Sequence, residues 1–313
     1  MDEKHKALLE KQHYNIIGSY SAVKLCTWTK KSMRDLGVCY KERFYGIRCH
    51  LCCQISTTIG FCQNSCIFCW RPMEYTDGIE MKECDEPEKI VQGAIEGQRK
   101  LLSGFGGFEG TNREKLKLAQ EPMHFAISLS GEPTIYPKLN ELIRLLHSKG
   151  KTTFVVSNGM LPDRIKDMEL PTQLYISVDA PNEELFKKID NPSLQDGWQR
   201  LMKTLDILNG LKEKTRTTLR LTLIKGMNMT LPEEWAEKIL RAQPMFVEVK
   251  AYMFVGFSQL RLKIENMPRH EEVKEFAEEI CKHSGYSIID EQPESRVVLL
   301  MKEDRPERIM KFD

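Results

Sequence analysis

The stretch Cys62-Gln63-Asn64-Ser65-Cys66-Ile67-Phe68-Cys69-Trp70 decides how the rest of the chain is read. Three thiolates within eight residues, spaced C-x3-C-x2-C, can hold three corners of a cubane iron–sulfur cluster. The fourth iron then lacks a protein ligand and is open to a small molecule. That marks a reactive cluster rather than an electron relay. A structural zinc site is the plainer alternative. Zinc takes four closed ligands, commonly as two separated pairs, and this triplet has no evident fourth partner.

Immediately upstream, the apolar run Gln54–Gly60 reads as a strand. Five similar runs follow, at His124–Leu129, Thr152–Val156, Gln173–Val178, Thr217–Ile224 and Phe246–Phe254. Amphipathic stretches fill the gaps as helices: Glu86–Leu102, Pro137–Lys149, Arg164–Met168, Leu194–Lys212 and Leu231–Ala242. Leu142, Leu145 and Leu146, for example, fall at i, i+3 and i+4 and make one buried face. Repeated βα units imply parallel strands joined by right-handed crossovers. A doubly wound sheet and a barrel both satisfy the pattern, and six units after a cysteine-bearing start suit a partial barrel better. The expected fold class is therefore α/β, a partial (βα)6 TIM-like barrel. Polar or Gly-rich turns follow the later strands: Ser130–Thr134, Ser157–Gly159, Asp179–Pro181, Lys225–Asn228 and Phe254–Gly256. All lie at carboxyl ends of strands, on the face where barrel enzymes build active sites, and the Cys62 triplet joins them.

Three segments are expected: an N-terminal extension over residues 1–53, the barrel over 54–256 and a C-terminal addition over 257–313. The last contains a helix, His270–Ser284, and two strands, Tyr286–Asp290 and Arg296–Met301. Within the barrel, residues 103–122 form a Gly-rich, basic insertion. It follows a helix and precedes a strand, the wrong order for a dinucleotide loop, and reads as a flexible lid.

The 313 residues are 41% hydrophobic, enough for one large core. The charged start (Asp2, Glu3, Lys4, Lys6) excludes a signal peptide, and nowhere do about 18 apolar residues run together, so no membrane helix is expected. A cytoplasmic protein with reduced thiols follows. Net charge is only +1, yet the balance is local. Lys24 to Arg48 holds seven basic residues against two acidic ones, and Gln98 to Ala119 five against two. Such runs are usually solvated faces; beside a metal site they become candidates for a phosphate-backbone footprint.

A second cysteine set lies upstream. Cys26, Cys39 and Cys52 stand thirteen residues apart in an extension too small for its own core, which a metal could tie to the barrel. Cys49 and Cys53 confuse the assignment, because Cys49-x2-Cys52 is itself a metal-like pair. Spacing leaves the Cys26/Cys39/Cys52 trio and a set using Cys49 both open. Cys84 and Cys281 read as small hydrophobes. Lys41, two residues beyond Cys39, is by default an exposed lysine; near a cluster its amine could attack a carbonyl to form an imine.

The triplet resembles the signature of radical S-adenosylmethionine (SAM) enzymes, whose open iron chelates SAM. The wider set of strings narrows the resemblance: Cys39-Tyr40-Lys41 with Phe44–Ile47, Cys62 to Arg71, Ser128–Thr134, Ser157–Gly159, Ser177–Pro181 leading to Asp196–Trp198, Thr222–Asn228 and Lys250 to Gly256. Over about Cys26 to Met301 the chain is similar to the tRNA 4-demethylwyosine synthases of the single-domain archaeal type. The resemblance implies a lyase that condenses N1-methylguanosine-37 of phenylalanine tRNA with pyruvate to give tricyclic 4-demethylwyosine, releasing methionine, 5′-deoxyadenosine and carbon dioxide. It implies two 4Fe–4S clusters, one on Cys62, Cys66 and Cys69 and one on Cys26, Cys39 and Cys52, with Cys49 and Cys53 outside the pattern. SAM would be held by Gly131, Glu132, Ser157, Asn158, Asp179 and Arg220. Pyruvate would bind the second cluster, a Schiff base on Lys41, or both. Larger relatives carry a flavodoxin-like module; here a monomer fed by a separate flavodoxin- or ferredoxin-like donor is expected, and the enzyme would act on a splayed anticodon-arm base. The rivals are another radical SAM enzyme with an auxiliary cluster (methylthiolating or activating) and, more remotely, a zinc-stabilised RNA-binding protein.

Overall fold

The computed structural model describes residues 1–312. Ten strands among them form one sheet: β1 (Asn15–Ile16), β2 (Ala22–Lys24), β3 (Cys52–Ser56), β4 (His124–Ile127), β5 (Thr152–Ser157), β6 (Gln173–Ser177), β7 (Arg216–Leu223), β8 (Phe246–Ala251), β9 (Ser287–Gln292) and β10 (Val297–Met301). The order is β1-β2-β3-β4-β5-β6-β7-β8-β10-β9. β3 to β8 run parallel, each beside its successor. These are the six expected strands, with ends shifted by a few residues. The antiparallel pair β1–β2 was not legible, because strands of two and three residues carry no alternation. It extends the sheet at β3, while β10 and β9 extend it at β8, so both terminal segments continue the barrel's own sheet.

Strand alternation sorts side chains into two layers. Cys53, Ile55, Phe125, Ile127, Val155, Leu174, Ile176, Leu219, Leu221, Val247 and Val249 pack outward on helix residues such as Ile90, Leu142, Leu205, Trp235 and Ile239. The opposite face, the lumen, presents Ala126, Phe154, Tyr175, Phe246, Val297 and Leu299. A short helix, Tyr40–Tyr45, plugs it with Tyr40, Phe44 and Tyr45. The N-terminal extension is thus held by burial of aromatic area inside the barrel, at about 25 cal/mol per Å². A helix at Glu183–Ile189, capped by Asn182, was also missed.

The insertion 103–122 departs from the expected flexible lid. Asn112 caps a helix, Arg113–Ala119, by accepting from the Lys115 amide at 3.1 Å. Ala119 and Leu102 are buried with Leu25 and Met33 of the extension. Lys115 bonds Asp35 Oδ1 at 2.6 Å. Apolar contacts and this ion pair hold the segment on the extension, beside the first basic stretch.

Candidate functional site

The triplet occupies the loop after β3, and its backbone is pinned from several sides. The Cys62 amide donates to the Gly78 carbonyl (3.1 Å), Ser65 to Asp190 (3.0 Å), Ile67 to Ile189 (2.9 Å) and Cys69 to Cys66 (3.0 Å). Arg71 Nη2 donates to the Asn64 carbonyl at 2.7 Å, and Arg261 to the Ile67 and Cys69 carbonyls. All three thiols are charge neighbours of the buried Arg71. Burial pushes Cys62 up to about 11 and Cys66 well above the usual thiol range. Such thiols stay neutral until a cation stabilises the thiolate.

Around the loop the structure gathers the residues expected to hold SAM. Gly131 has φ +81°, and a Cβ there would run into the Thr58 carbonyl. Only glycine allows this approach at that angle. Glu132 is buried and fully engaged: Oε1 accepts from Thr134 N (3.1 Å), Thr134 Oγ1 (2.6 Å) and Ser157 Oγ (2.7 Å), and Oε2 from Asn158 N (2.8 Å). Glu132 and Ser157 therefore shape the β4 and β5 turns. Asn158 Nδ2 reaches Cys62 Sγ at 3.6 Å and Gln63 Oε1 at 3.2 Å. Burial raises Asp179 to about 6 even though Oδ1 accepts from the Thr222 amide at 3.1 Å. Asp190, which the sequence reading passed over, lies 3.4 Å from Cys66 Sγ. Its carboxyl is held high by burial first and by Asp179 second.

Several buried polar atoms here find no partner among the described residues: Thr57 Oγ1, Thr58 Oγ1, Gln63 Nε2, Asn64 Oδ1 and Nδ2, Asp190 Oδ2 and Arg220 Nε. An unsatisfied buried polar group costs about 1–3 kcal/mol, so these atoms are candidates for contacts to a ligand. Gln63 and Asn64 lie between the cysteines and were available as a signal.

The second trio comes together from three elements. Cys26 precedes the helix Thr27–Ser32, Cys39 precedes Tyr40–Tyr45, and Cys52 opens β3. Cys26 is a charge neighbour of both Cys39 and Cys52. Burial pushes Cys52 up to about 12. Strand alternation resolves Cys53, which faces the helix layer while Cys52 faces the lumen. Cys49 is buried against the trio's backbone, its sulfur accepting from the Cys39 amide at 3.4 Å. No three His, Cys, Asp or Glu side chains among the described residues converge on a single-ion point. A cubane is bound at its corners, so its thiolates need not converge that tightly.

The second trio borders the lumen, against which Cys39 and Cys52 pack. The Lys41 ammonium sits 4.3 Å from the Tyr175 ring centroid and 5.6 Å from that of Phe154. Lys41 is a charge neighbour of Cys39 and Cys52. A second lumen lysine, Lys250, went unrecognised. It donates to the Ser295 carbonyl at 2.6 Å, and burial lowers it to about 8. Arg220 neighbours both Asp179 at the mouth and Lys250 beside the trio.

A parallel βα barrel with three thiols at the carboxyl end of its first barrel strand is the architecture of a radical SAM enzyme. The sequence matches the Radical SAM superfamily over residues 56–239 and the family described as wyosine base formation over 241–302. It is 49% identical to the S-adenosyl-L-methionine-dependent tRNA 4-demethylwyosine synthase of Pyrococcus abyssi, across 97% of this chain and 90% of that one. The Methanocaldococcus jannaschii enzyme of the same name is 43% identical, across 95% and 96%. Two solved structures superpose over nearly the whole chain: archaeal TYW1 (TM-score 0.81, 37% identity) and TYW1 with a lysine-pyruvate adduct bound (TM-score 0.89, 41% identity), each covered to 99% or more. The chain belongs to the tRNA 4-demethylwyosine synthase family. It is a radical SAM, tRNA-modifying enzyme of wyosine-base formation that uses SAM and a 4Fe–4S cluster. No helix among the described residues is long and apolar enough to cross a membrane.

Proposed function

We propose that Cys62, Cys66 and Cys69 hold the SAM-binding cluster, that Cys26, Cys39 and Cys52 hold a second 4Fe–4S cluster, and that Lys41 binds pyruvate as an imine. The observation that carries this reading is a chain of charge neighbours set in the aromatic lumen, from Asp179 through Arg220 and Lys250 to Cys39 and Lys41. When bound, the first cluster supplies one-electron chemistry to SAM, which no side chain can supply. The protein's part is to bind, orient and exclude water.

Gly131 leaves room at the rim, Asn158 presents an amide donor beside Cys62, and the unpartnered Arg220 Nε, with Asp179, faces polar ligand groups. The aromatic wall of Phe154 and Tyr175 shields the Lys41 amine from bulk water. The relative solved with a lysine-pyruvate adduct supports an imine on a lysine, and Lys41 is the one that leaves the helix beside the second trio. Substrate joins there: the N-methyl carbon of methylated guanine and the keto carbon of pyruvate complete the third ring, the pyruvate methyl stays on it as a substituent, and the pyruvate carboxyl leaves as carbon dioxide.

The segments divide the work, with residues 1–53 carrying the second cluster, 54–256 the radical chemistry and 257–313 closing the sheet. The adjacent basic stretches around Lys31 and Lys115 would meet phosphates of the phenylalanine tRNA anticodon arm, so binding weakens steeply with salt. The enzyme works as a cytoplasmic monomer fed by a separate flavodoxin- or ferredoxin-like donor; ten unpaired cysteines suit a reducing compartment. The test is anaerobic reconstitution with iron and sulfide, then SAM, reductant, pyruvate and methylated tRNA, with nucleosides read by mass spectrometry. About eight irons per chain and a 4-demethylwyosine peak are expected. About four irons, or a product unaffected by omitting pyruvate, would overturn the reading.

A further inference from the structure

Glu248 is a fully buried carboxylate on β8, in a lumen whose apolar wall includes Phe44, Phe246 and Leu299 and whose charged neighbours include Lys250. Its Oε2 accepts from the Tyr40 hydroxyl at 3.0 Å and its Oε1 from the Tyr45 hydroxyl at 2.8 Å. Arg220 lies opposite it in register, yet no ion pair of Glu248 is found among the described residues. Both oxygens serve phenols instead. Burying a carboxylate costs several kcal/mol, and an apolar residue of similar volume would often be as stable. The group is better explained by what it orients.

Tyr40 and Tyr45 are the first and last residues of the six-residue helix that plugs the lumen, and Lys41 is the second. One carboxylate therefore grips both ends. Rotation or sliding of the helix would break at least one bond. Beyond it, Gly46 turns back with φ +77°, and a Cβ there would meet the Met310 carbonyl at 2.6 Å. The Lys41 side chain leaves this clamped helix and rests its ammonium on Tyr175.

We propose that Glu248 is a positioning residue for Lys41, fixing the helix so that the amine meets the keto carbon of a 2-oxo acid at the angle imine formation requires. This rests on the imine reading above. In that step the C=N bond forms and the C=O bond breaks. The ammonium and the ketone give a protonated imine and one water, whose two hydrogens come from nitrogen. Misplacing the amine by about 1 Å can cost on the order of a hundredfold in rate.

The test traps the imine with borohydride in the reconstituted full chain, using carboxyl-labelled pyruvate over a range of concentrations and locating label on Lys41 by peptide mass spectrometry. Glu248→Leu is expected to slow trapping at saturating pyruvate by on the order of a hundredfold, and Tyr40→Phe, which keeps volume, by about tenfold. Glu248→Gln should stay within about threefold of wild type, since an amide can accept from one phenol and donate to the other. Ile239→Ala, buried in the helix layer outside the sheet, serves as the stability control: its melting temperature falls while its trapping rate holds. If Tyr40→Phe and Glu248→Leu trap as fast as wild type, or Ile239→Ala slows trapping equally, the positioning role is overturned and the imine reading stands. If wild type itself traps nothing, the imine reading falls, and this inference with it.

Discussion

The two cysteine sets are built in opposite ways. Cys62, Cys66 and Cys69 lie in one loop whose backbone is pinned by hydrogen bonds to residues 189–193 and to the Gly78 turn. Cys26, Cys39 and Cys52 come from three separate elements and meet because an aromatic helix is buried in the lumen. The first site is local in sequence and backbone-held. The second is assembled by packing, so its integrity depends on side chains far from any ligand. A local site tolerates change elsewhere in the core; a distributed one inherits the stability of everything that packs it.

Removing ligands should separate the two sites most sharply. Alanine at Cys62, Cys66 or Cys69 is expected to abolish 5′-deoxyadenosine release altogether. Alanine at Cys26, Cys39 or Cys52 should leave reductive SAM cleavage measurable by chromatography while the tRNA product vanishes. Equal loss of SAM cleavage from both sets would erase the distinction drawn here.

On the proposed reading, Lys41→Ala leaves iron content and SAM cleavage unchanged, yet lowers 4-demethylwyosine formation by on the order of a hundredfold or more. Iron analysis and nucleoside mass spectrometry on one preparation would decide it.

At the mouth, Gly131→Ala puts a methyl against the Thr58 carbonyl at a left-handed angle. A cost of about 1–3 kcal/mol in stability is expected, read by thermal melting, with weaker SAM binding by titration.

The mouth should also carry a pH signature. Burial raises Asp179 from its ordinary value of 3.8 to about 6. Below the lower value both folded and unfolded chains hold the proton and nothing is lost. Between the two values the unfolded chain gives up its proton while the folded state keeps it, so stability falls by about 1–3 kcal/mol across that window and levels off above the upper value. Asp179→Asn should flatten that slope in melts taken from pH 4 to 7; an unchanged slope would contradict the assignment.

Smallest is the effect of Cys49→Ala. If Cys49 only buttresses the Cys39 amide, iron content stays the same and stability drops by about 1 kcal/mol, a few degrees in melting temperature. A fall in iron would make Cys49 a ligand and the second set a quartet.

The six parallel strands were legible because β-branched apolar runs alternate with amphipathic helices, and the rim turns because Gly, Ser and Asp cluster after each run. β1 and β2 were not, since pairing with β3 rather than propensity makes them strands. The insertion 103–122 looked flexible from its glycines, but Leu102, Ala119 and the Lys115–Asp35 pair dock it. Glu248 and the chemical role of Lys250 were missed, because a charged residue in an apolar strand reads as an exposed position until the partner facing it is known, and Asp190 was missed with the helix Glu183–Ile189 that it follows.

By itself, the sequence determined the radical SAM class, the barrel and the ligand-bearing loop, because cluster chemistry and strand periodicity are written at short range. Only the tertiary structure decided that Cys52 faces the lumen and Cys53 the helices, that Cys26 and Cys39 meet Cys52, and that Tyr40, Lys41 and Tyr45 enter the barrel beneath Glu248. Those relations join residues as much as 208 positions apart. Such distances close only when burial of apolar area outweighs the chain entropy that keeps them separate.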